Sequence, residues 1–255
     1  MRCPKFSPTH NGTWLDGKST HHGGLAKIHR ANSNVVIKIP DGIPAEYAAP
    51  MLCSGITAWS PLKTRRGTGK SVGVLGMGGI GRFALIWAKA LGCDSVMAIS
   101  RSSSKKNDCL TKLGADSFIA ISDDEDWAAK HVGSLDLIIS NHRLRHMPMK
   151  DLLGLLKVNG SFITVGASLD DLPDINTFSS YCAMLKIEAG FWGTFEEIGE
   201  MLEFAAANGV RPLVQVFDLE ETNQVIAQQY AEMSRYKFVA KVQSSSEAWT
   251  SSSHG

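Results

Sequence analysis

The sequence predicts an α/β fold in which a doubly wound, Rossmann-type parallel sheet carries helices on both faces. Two observations predict it. Residues 71–190 alternate between short apolar runs and amphipathic helical segments, a pattern typical of parallel sheets. Within this region a glycine-rich turn directly follows one apolar run and opens an amphipathic segment, which is the order of a βαβ unit.

The glycine-rich turn has the spacing of a dinucleotide-binding motif. The strand Ser71–Leu75 leads directly into it. In this motif Gly76 allows the tight turn, Gly78 allows the backbone to approach a pyrophosphate, and Gly81 allows close helix–sheet packing. Free N–H groups at the helix N-terminus then bind the phosphates. The residues predicted to bind the cofactor here are Gly76, Gly78, Gly79, Ile80 and Gly81.

The end of the second strand, Ser95–Ser100, indicates which dinucleotide binds. An NAD site usually has an acidic residue about 20 residues beyond the glycines, and its carboxylate would repel a 2′-phosphate. This chain has Ser100 and Arg101 at that point, then three serines and Lys105. Hydroxyl and cationic groups suit a phosphate. We therefore predict NADP, bound by Ser100, Arg101 and Lys105; the alternative is a solvated basic turn that opens the next helix.

The remaining elements follow from the apolar and turn patterns. Residues 1–34 are polar and turn-rich, residues 35–39 are predicted to form a strand, and residues 45–63 a helix. Strands are predicted near residues 71–75, 95–100, 116–120, 135–140, 161–166 and 185–190. Helices are predicted near residues 79–91, 104–113 and 147–157. A helix at 194–207, a strand at 213–217, a helix at 221–233 and a strand at 238–242 follow.

The composition argues against several classes of function. The 255 residues carry a formal net charge of +1, so binding to nucleic acid or to an anionic membrane surface is not expected. No apolar run reaches the length of a membrane span, and the N-terminus lacks the apolar core of a signal peptide. The five cysteines are odd in number and contain no C-x-x-C pair, which favours free thiols and a cytoplasmic location.

Residues 48–62 read AAPMLCSGITAWSPL. This stretch resembles a signature of the cinnamyl-alcohol-dehydrogenase-like enzymes, which are zinc-type, NADP-dependent medium-chain alcohol dehydrogenases. The resemblance continues at residues 74–81, 99–103, 112–116, 156–160 and 193–197. It extends from about residue 3 to 243, and a fungal-type member is the nearest match. It implies an NADP(H)-dependent alcohol dehydrogenase or aldehyde reductase that acts on a small-molecule aldehyde or alcohol and forms a homodimer.

The resemblance also implies a domain organisation. Residues 1–62 would be part of a GroES-like catalytic domain, residues 63–213 the NADP-binding domain, and residues 214–243 a return to the catalytic domain. The Ser-rich residues 244–255 are predicted to be a disordered tail. Members of the family carry a longer N-terminal region, with most of the zinc ligands, that has no counterpart here. We therefore expect a truncated form of the family.

Two residues match the catalytic region of the family. By resemblance Cys53 corresponds to the one catalytic-zinc cysteine that this chain retains, and Cys3 to the last structural-zinc cysteine. Thr57 lies one helical turn beyond Cys53, where the family brings a residue towards the nicotinamide. The candidate catalytic residues are thus Cys53 and Thr57. Because zinc sites use at least three protein ligands, we expect an incomplete site and favour the interpretation that Cys53 is a buried small residue left over from an ancestral ligand.

A pair of histidines admits two interpretations. His142 and His146 are four residues apart, a spacing that metal-binding histidines share on a helix. However, Met147 and Pro148 follow, and the segment has the character of a loop that leaves the fourth strand. Ligands bind beyond the carboxyl ends of parallel strands, so we expect this loop to contact cofactor ribose or phosphate.

Three functions remain open. The chain could be an NADPH-dependent reductase or alcohol dehydrogenase, an NADP-binding pseudoenzyme or repurposed non-redox protein on the same fold, or a fragment of a longer zinc enzyme. Whether this chain is itself an active enzyme is undecided. The missing N-terminal region predicts negligible turnover of aromatic aldehydes with NADPH.

Overall fold

A computed structural model of the chain contains two compact units, which we call the larger and the smaller unit. The larger unit comprises Ile39–Pro212, and the smaller unit combines Met1–Lys38 with Leu213–Gly255. Cys3, His146 and the predicted tail lie outside the described residues. The structure describes residues 9–13, 16–29, 31–65, 69–145, 147–166, 175, 177–190, 192–230 and 236–242.

The N-terminal part of the smaller unit is a short hairpin followed by a turn. Strand β1 (His10–Thr13) pairs antiparallel with β2 (Thr20–His22), and a 3-10 turn covers Ser33–Val35. The strand predicted at residues 35–39 is wrong. The Asn32 side chain accepts a hydrogen bond from the Asn34 N–H and favours the turn, and residues 36–40 join no sheet of the described chain.

A nearly continuous helical segment opens the larger unit, as predicted. Helix α1 (Ala45–Pro50) leads into a π-helical turn (Met51–Gly55) and then into α2 (Ile56–Thr64). The indole Nε1 of Trp87 donates a buried hydrogen bond to the Gly55 carbonyl at 3.0 Å. This bond holds the end of the π-helical turn against the helix that carries Trp87.

The centre of the larger unit is a six-stranded parallel sheet. In space the strands follow the order β5-β4-β3-β6-β7-β8, and every neighbouring pair is parallel. The chain runs outward from β3 to β5 and then returns to the other side of β3, which confirms the predicted doubly wound fold. The strands are β3 (Ser71–Leu75), β4 (Ser95–Ser100), β5 (Ser117–Ala120), β6 (Leu135–Ser140), β7 (Leu156–Thr164) and β8 (Lys186–Ala189).

Helices connect the strands of this sheet, and one further helix follows its last strand. They are α3 (Gly79–Ala90), α4 (Lys106–Thr111), α5 (Trp127–Lys130), α6 (Met149–Gly154), α7 (Thr177–Cys182) and α8 (Phe195–Ala207). The predicted helix at residues 147–157 runs too far, because Leu156 already pairs with Leu135 on the neighbouring strand. Helix α8 begins with a capping box between Thr194 and Glu197, the arrangement that the T-x-x-E spacing favours.

Aromatic side chains join three of the helices. The Trp59 ring of α2 lies 5.2 Å from the Trp87 ring of α3 and 5.0 Å from the Phe204 ring of α8, measured between centroids. Both tryptophans are fully buried. Aromatic pairs at such distances stabilise beyond the area they bury. The packing fixes α2, and the π-helical turn before it, onto α3.

The C-terminal part of the smaller unit contains a pair of parallel strands. Strand β9 (Val214–Asp218) leads through α9 (Thr222–Tyr230) to β10 (Lys237–Lys241), and the rings of Phe217 and Phe238 lie 6.2 Å apart. Residues 39–62 belong to the larger unit, and their assignment to a partial catalytic domain stays a prediction. Within the described residues, no helix combines the length and apolar character that a membrane crossing requires.

Candidate functional site

The glycine turn lies at the carboxyl edge of the sheet, between β3 and α3. Gly76 has a φ of +91°, a conformation that glycine adopts without strain. A Cβ on Gly81 would collide with the carbonyl oxygen of Gly76. The Gly76 N–H donates to the Ile99 carbonyl of β4 at 2.9 Å. The turn is therefore tied to the central strands, and two of its predicted glycines are required by its geometry.

Helix α3 presents an uncapped N-terminus at this edge. Gly78 is the N-cap residue and supplies no side-chain cap, and the first turn contains no acidic residue. Its carbonyl accepts from the Arg82 N–H at 3.1 Å. Because the N–H groups of the first turn have no acceptor within a helix, those of Gly79 and Ile80 are available to an anion. The helix dipole adds partial positive charge at the same point.

The loop after β4 reaches back to the glycine turn. Lys105 Nζ donates to the Met77 carbonyl at 3.3 Å, so residues 28 positions apart meet at the turn. Ser100 is half-buried at the end of β4, and Arg101 is exposed. The structure thus brings the predicted phosphate-binding lysine to the predicted glycines and places Ser100 and Arg101 at the adjoining strand end.

Sequence reasoning missed an acidic residue that supports this loop. Asp123, in the turn after β5, accepts a hydrogen bond from the Ser103 N–H at 3.0 Å. It anchors the 3-10 turn at Ser103–Lys105, which carries the lysine. Its only sequence signal is a polar position after a strand. These features fit a dinucleotide with a 2′-phosphate: the first turn of α3 offers backbone N–H groups, cations lie beside it, and β4 ends without a carboxylate.

Asn141 is a second residue that sequence reasoning did not select. It directly follows β6, and its backbone N–H donates to the Leu75 carbonyl at 3.1 Å. Its side-chain amide lies against the glycine turn, with hydrogen bonds to both ends of that turn. The available signal was its position, because a polar residue after β6 borders the point where the strand order reverses.

The neighbouring histidine belongs to the predicted loop. His142 is half-buried, its Nδ1 lies 2.8 Å from the Arg143 carbonyl, and its Cβ would lie 3.4 Å from a Cβ on Gly76. Residues 141–145 form no helix, so His142 lies on a loop beside the glycine turn. Its contact with a cofactor stays a prediction.

Cys53 and Thr57 lie on the helical segment that packs on α3. The Thr57 hydroxyl donates to the Cys53 carbonyl at 2.8 Å, so the two predicted catalytic residues are adjacent across one turn. Thr57 is buried, whereas the Cys53 thiol is exposed. The expectation that Cys53 is a buried small residue is therefore wrong, since the residue is exposed.

The described residues do not fit a zinc ion. No three His, Cys, Asp or Glu side chains in the described ranges come together in a group that could hold a metal. Cys53 alone supplies too few ligands, since zinc sites use at least three from the protein. The part of the chain that the structure describes therefore lacks the ligand set of a catalytic zinc.

Two other thiols are packing residues. Burial raises the pKa of Cys93 and that of Cys109 to about 11 in each case. At Cys109 the nearby Arg82 guanidinium opposes this rise without cancelling it. Both thiols stay protonated at neutral pH, so neither is a nucleophile.

A small open pocket of about 110 Å³ lies at the β8 side of the sheet. The ion pair between Arg65 and Glu188 lies in its wall. The pocket shares no residue with the glycine turn, and its main charges are already paired with each other.

Comparison with known proteins gives a consistent result. Residues 79–207 match the family model described as zinc-binding dehydrogenase. The chain is 35% identical over 246 residues to cinnamyl alcohol dehydrogenase 2 of Arabidopsis thaliana. The aligned region covers 95% of this chain and 64% of that protein. It is 37% identical over 233 residues to NADP-dependent alcohol dehydrogenase C 1 of Mycolicibacterium smegmatis, covering 91% of this chain and 65% of that protein. The chain thus spans about two thirds of the length of these relatives.

A solved structure agrees with the observed fold. A cinnamyl alcohol dehydrogenase of Sorghum bicolor superimposes with a TM-score of 0.85 and 31% sequence identity. The match covers 94% of this chain and 68% of that one. The similarity therefore includes both the parallel sheet and most of the flanking segments.

Proposed function

This chain belongs to the zinc-binding dehydrogenase family, and from that premise we propose that it binds NADP(H) and acts as an oxidoreductase of the alcohol dehydrogenase or aldehyde reductase type. The observation that carries the cofactor proposal is the contact of Lys105 with the Met77 carbonyl. It places a cation from the loop after β4 on the glycine turn, where a dinucleotide's phosphates would bind.

Different residues of the site would bind different parts of the cofactor. The N–H groups of Gly79 and Ile80 would receive the pyrophosphate, helped by the dipole of α3. Ser100 and Arg101 would hold the 2′-phosphate beside β4, and Lys105 would lie between the two anionic groups. When bound, NADP(H) supplies the hydride chemistry.

The proposed substrate is a small aldehyde or alcohol. This proposal rests on relatives named as a cinnamyl alcohol dehydrogenase and an NADP-dependent alcohol dehydrogenase. Cys53 and Thr57 are the proposed catalytic residues, since the exposed thiol and the adjacent threonine lie on the segment that carries the resemblance. The hydrogen bond from Thr57 to the Cys53 carbonyl orients the end of the π-helical turn.

A second function is an NADP(H)-binding protein without redox activity. The absence of a metal-holding group among the described side chains favours it, because the family's catalytic zinc would then have no ligand set. The cofactor site is the same in both proposals, so binding alone does not distinguish them.

Turnover distinguishes the two functions. Purified protein would be mixed with NADPH and a panel of aromatic and medium-chain aldehydes, with and without added zinc, and NADPH consumption followed by absorbance. Consumption that depends on aldehyde supports the reductase, and the Thr57→Val variant should then slow it. Saturable NADPH binding with no consumption of NADPH by any aldehyde supports the non-redox protein and contradicts the reductase.

Assembly and location are further proposals. We propose a homodimer that pairs through β8, because this strand ends the described sheet and has a neighbour on one side alone. We also propose a cytoplasmic protein, since the four described cysteines are free thiols and reducing compartments keep thiols in that state.

A further inference from the structure

The amide of Asn141 fills the space that the motif glycines leave open. A Cβ on Gly76 would overlap the Asn141 side chain, whereas a Cβ on Gly78 would lie 3.3 Å from the amide and one on Gly81 3.4 Å. All three glycines therefore face one side chain from β6. The glycine spacing thus accommodates Asn141.

The amide also binds both ends of the turn. In the orientation that satisfies every neighbour, its nitrogen donates to the carbonyls of Leu75 at 3.0 Å and Gly76 at 2.8 Å. Its oxygen accepts from the Gly81 N–H at 2.9 Å. A neutral amide can both donate and accept in this way, whereas a carboxylate can only accept. Asn141 thus joins the last residue of β3, the turn and the first turn of α3.

These bonds determine which backbone groups face an anion. With the carbonyls of Leu75 and Gly76 bonded to the amide, neither oxygen is free to rotate towards a phosphate. With the Gly81 N–H also occupied, the donors left at the start of α3 are those of Gly79 and Ile80. Fixed donors of this kind bind more tightly than donors that must first be ordered.

We propose that Asn141 is a positioning residue for the pyrophosphate of the bound dinucleotide: its amide locks the glycine turn so that the N–H groups of Gly79 and Ile80 point at the phosphates. This inference rests on the proposed NADP(H) binding. Asn141 acts through the turn, without contact to the cofactor being required.

The test uses two substitutions of Asn141 and one control. Asn141→Ala removes all three side-chain bonds, and we expect NADPH affinity to fall about tenfold or more. Asn141→Asp keeps the shape but, when ionised, cannot donate to the two carbonyls. These acceptors raise the pKa of the new carboxyl, so the donor returns as the pH falls. Asn223→Asp, on the exposed surface of α9, makes the same charge change away from the turn.

The readout is the NADPH dissociation constant relative to wild type, measured between about pH 8 and pH 5.5, with thermal unfolding to verify the fold. We expect Asn141→Asp to bind weakly at high pH and to recover towards wild type at low pH, while Asn141→Ala stays weak throughout and Asn223→Asp matches wild type. If the wild type binds NADPH and both Asn141 variants bind it as tightly as the wild type does, this inference alone is overturned. A loss in Asn141→Asp that is independent of pH overturns it too. A wild-type protein that binds no NADPH overturns the proposed function and this inference with it.

Discussion

Each of two glycines in the turn is required for a different structural reason. Gly76 is needed for its positive φ, and Gly81 because a Cβ there would meet the Gly76 carbonyl. Gly199, in the middle of α8, has no atom within 4 Å of an added Cβ. The same residue type is thus essential in one helix and replaceable in another.

This difference gives a prediction at the level of single residues. Gly81→Ala must displace the backbone of the turn, so we expect lower thermal stability and loss of NADPH binding. Gly199→Ala, the matched control, should stabilise the protein by up to about 1 kcal/mol, because alanine favours a helix interior. Unfolding curves and NADPH titrations check both. Normal cofactor binding by Gly81→Ala would contradict the geometry described for the turn.

The sequence suggested the candidate cofactor residues but not the residues that support them. Glycines, Arg101 and Lys105 form a local pattern, so they could be recognised without a structure. Asn141 and Asp123 act over 60 and 20 residues of chain, on Gly81 and Ser103 respectively. Such pairings depend on strand order, which residue spacing does not encode. The exposure of Cys53 was missed for a related reason, because a π-helical turn changes which face a residue occupies.

At the level of elements, strand and helix ends follow tertiary pairing. The pattern of residues 147–157 predicts one helix, yet the chain leaves the helix at Gly154 and pairs Leu156 with Leu135. Conversely, residues 35–39 are apolar and β-branched but have no partner strand among the described residues. Sequence patterns therefore predict that an element exists more reliably than they predict where it ends.

The edge strand β8 gives a second prediction. Ala189 is exposed on this strand, and an unpaired edge favours pairing with another chain unless a charge prevents it. If β8 pairs in a homodimer, Ala189→Lys should shift the protein towards monomer. Ala207→Lys, at the exposed end of α8, is the control and should leave the mass unchanged. Light scattering at micromolar concentration measures both, and a wild-type protein with the mass of one chain would rule out the dimer.

At the scale of the whole molecule, the strand order assembles the site. The strand order reverses between β3 and β6, and the open edge beside this point carries the glycine turn and Asn141. Strand β4 adds Ser100 and Arg101 on one side, and the loop beyond it adds Lys105. The sequence predicted this architecture correctly because alternating strands and helices with right-handed connections leave few possible arrangements.

The central claim is that this edge of the sheet binds NADP(H) in preference to NAD(H). Its most direct test compares the dissociation constants of NADPH and NADH for the wild type, Arg101→Ala and a control variant, Lys157→Ala. Lys157 lies near the start of β7, at the edge of the sheet opposite the glycine turn. We expect wild type to bind NADPH at least about tenfold more tightly than NADH, since charged hydrogen bonds to a 2′-phosphate contribute about 1.5–3 kcal/mol. Arg101→Ala should lose most of that preference by weakening NADPH binding alone, and Lys157→Ala should keep it. Equal affinity of the wild-type protein for the two dinucleotides, or an unchanged preference in Arg101→Ala, would contradict the claim.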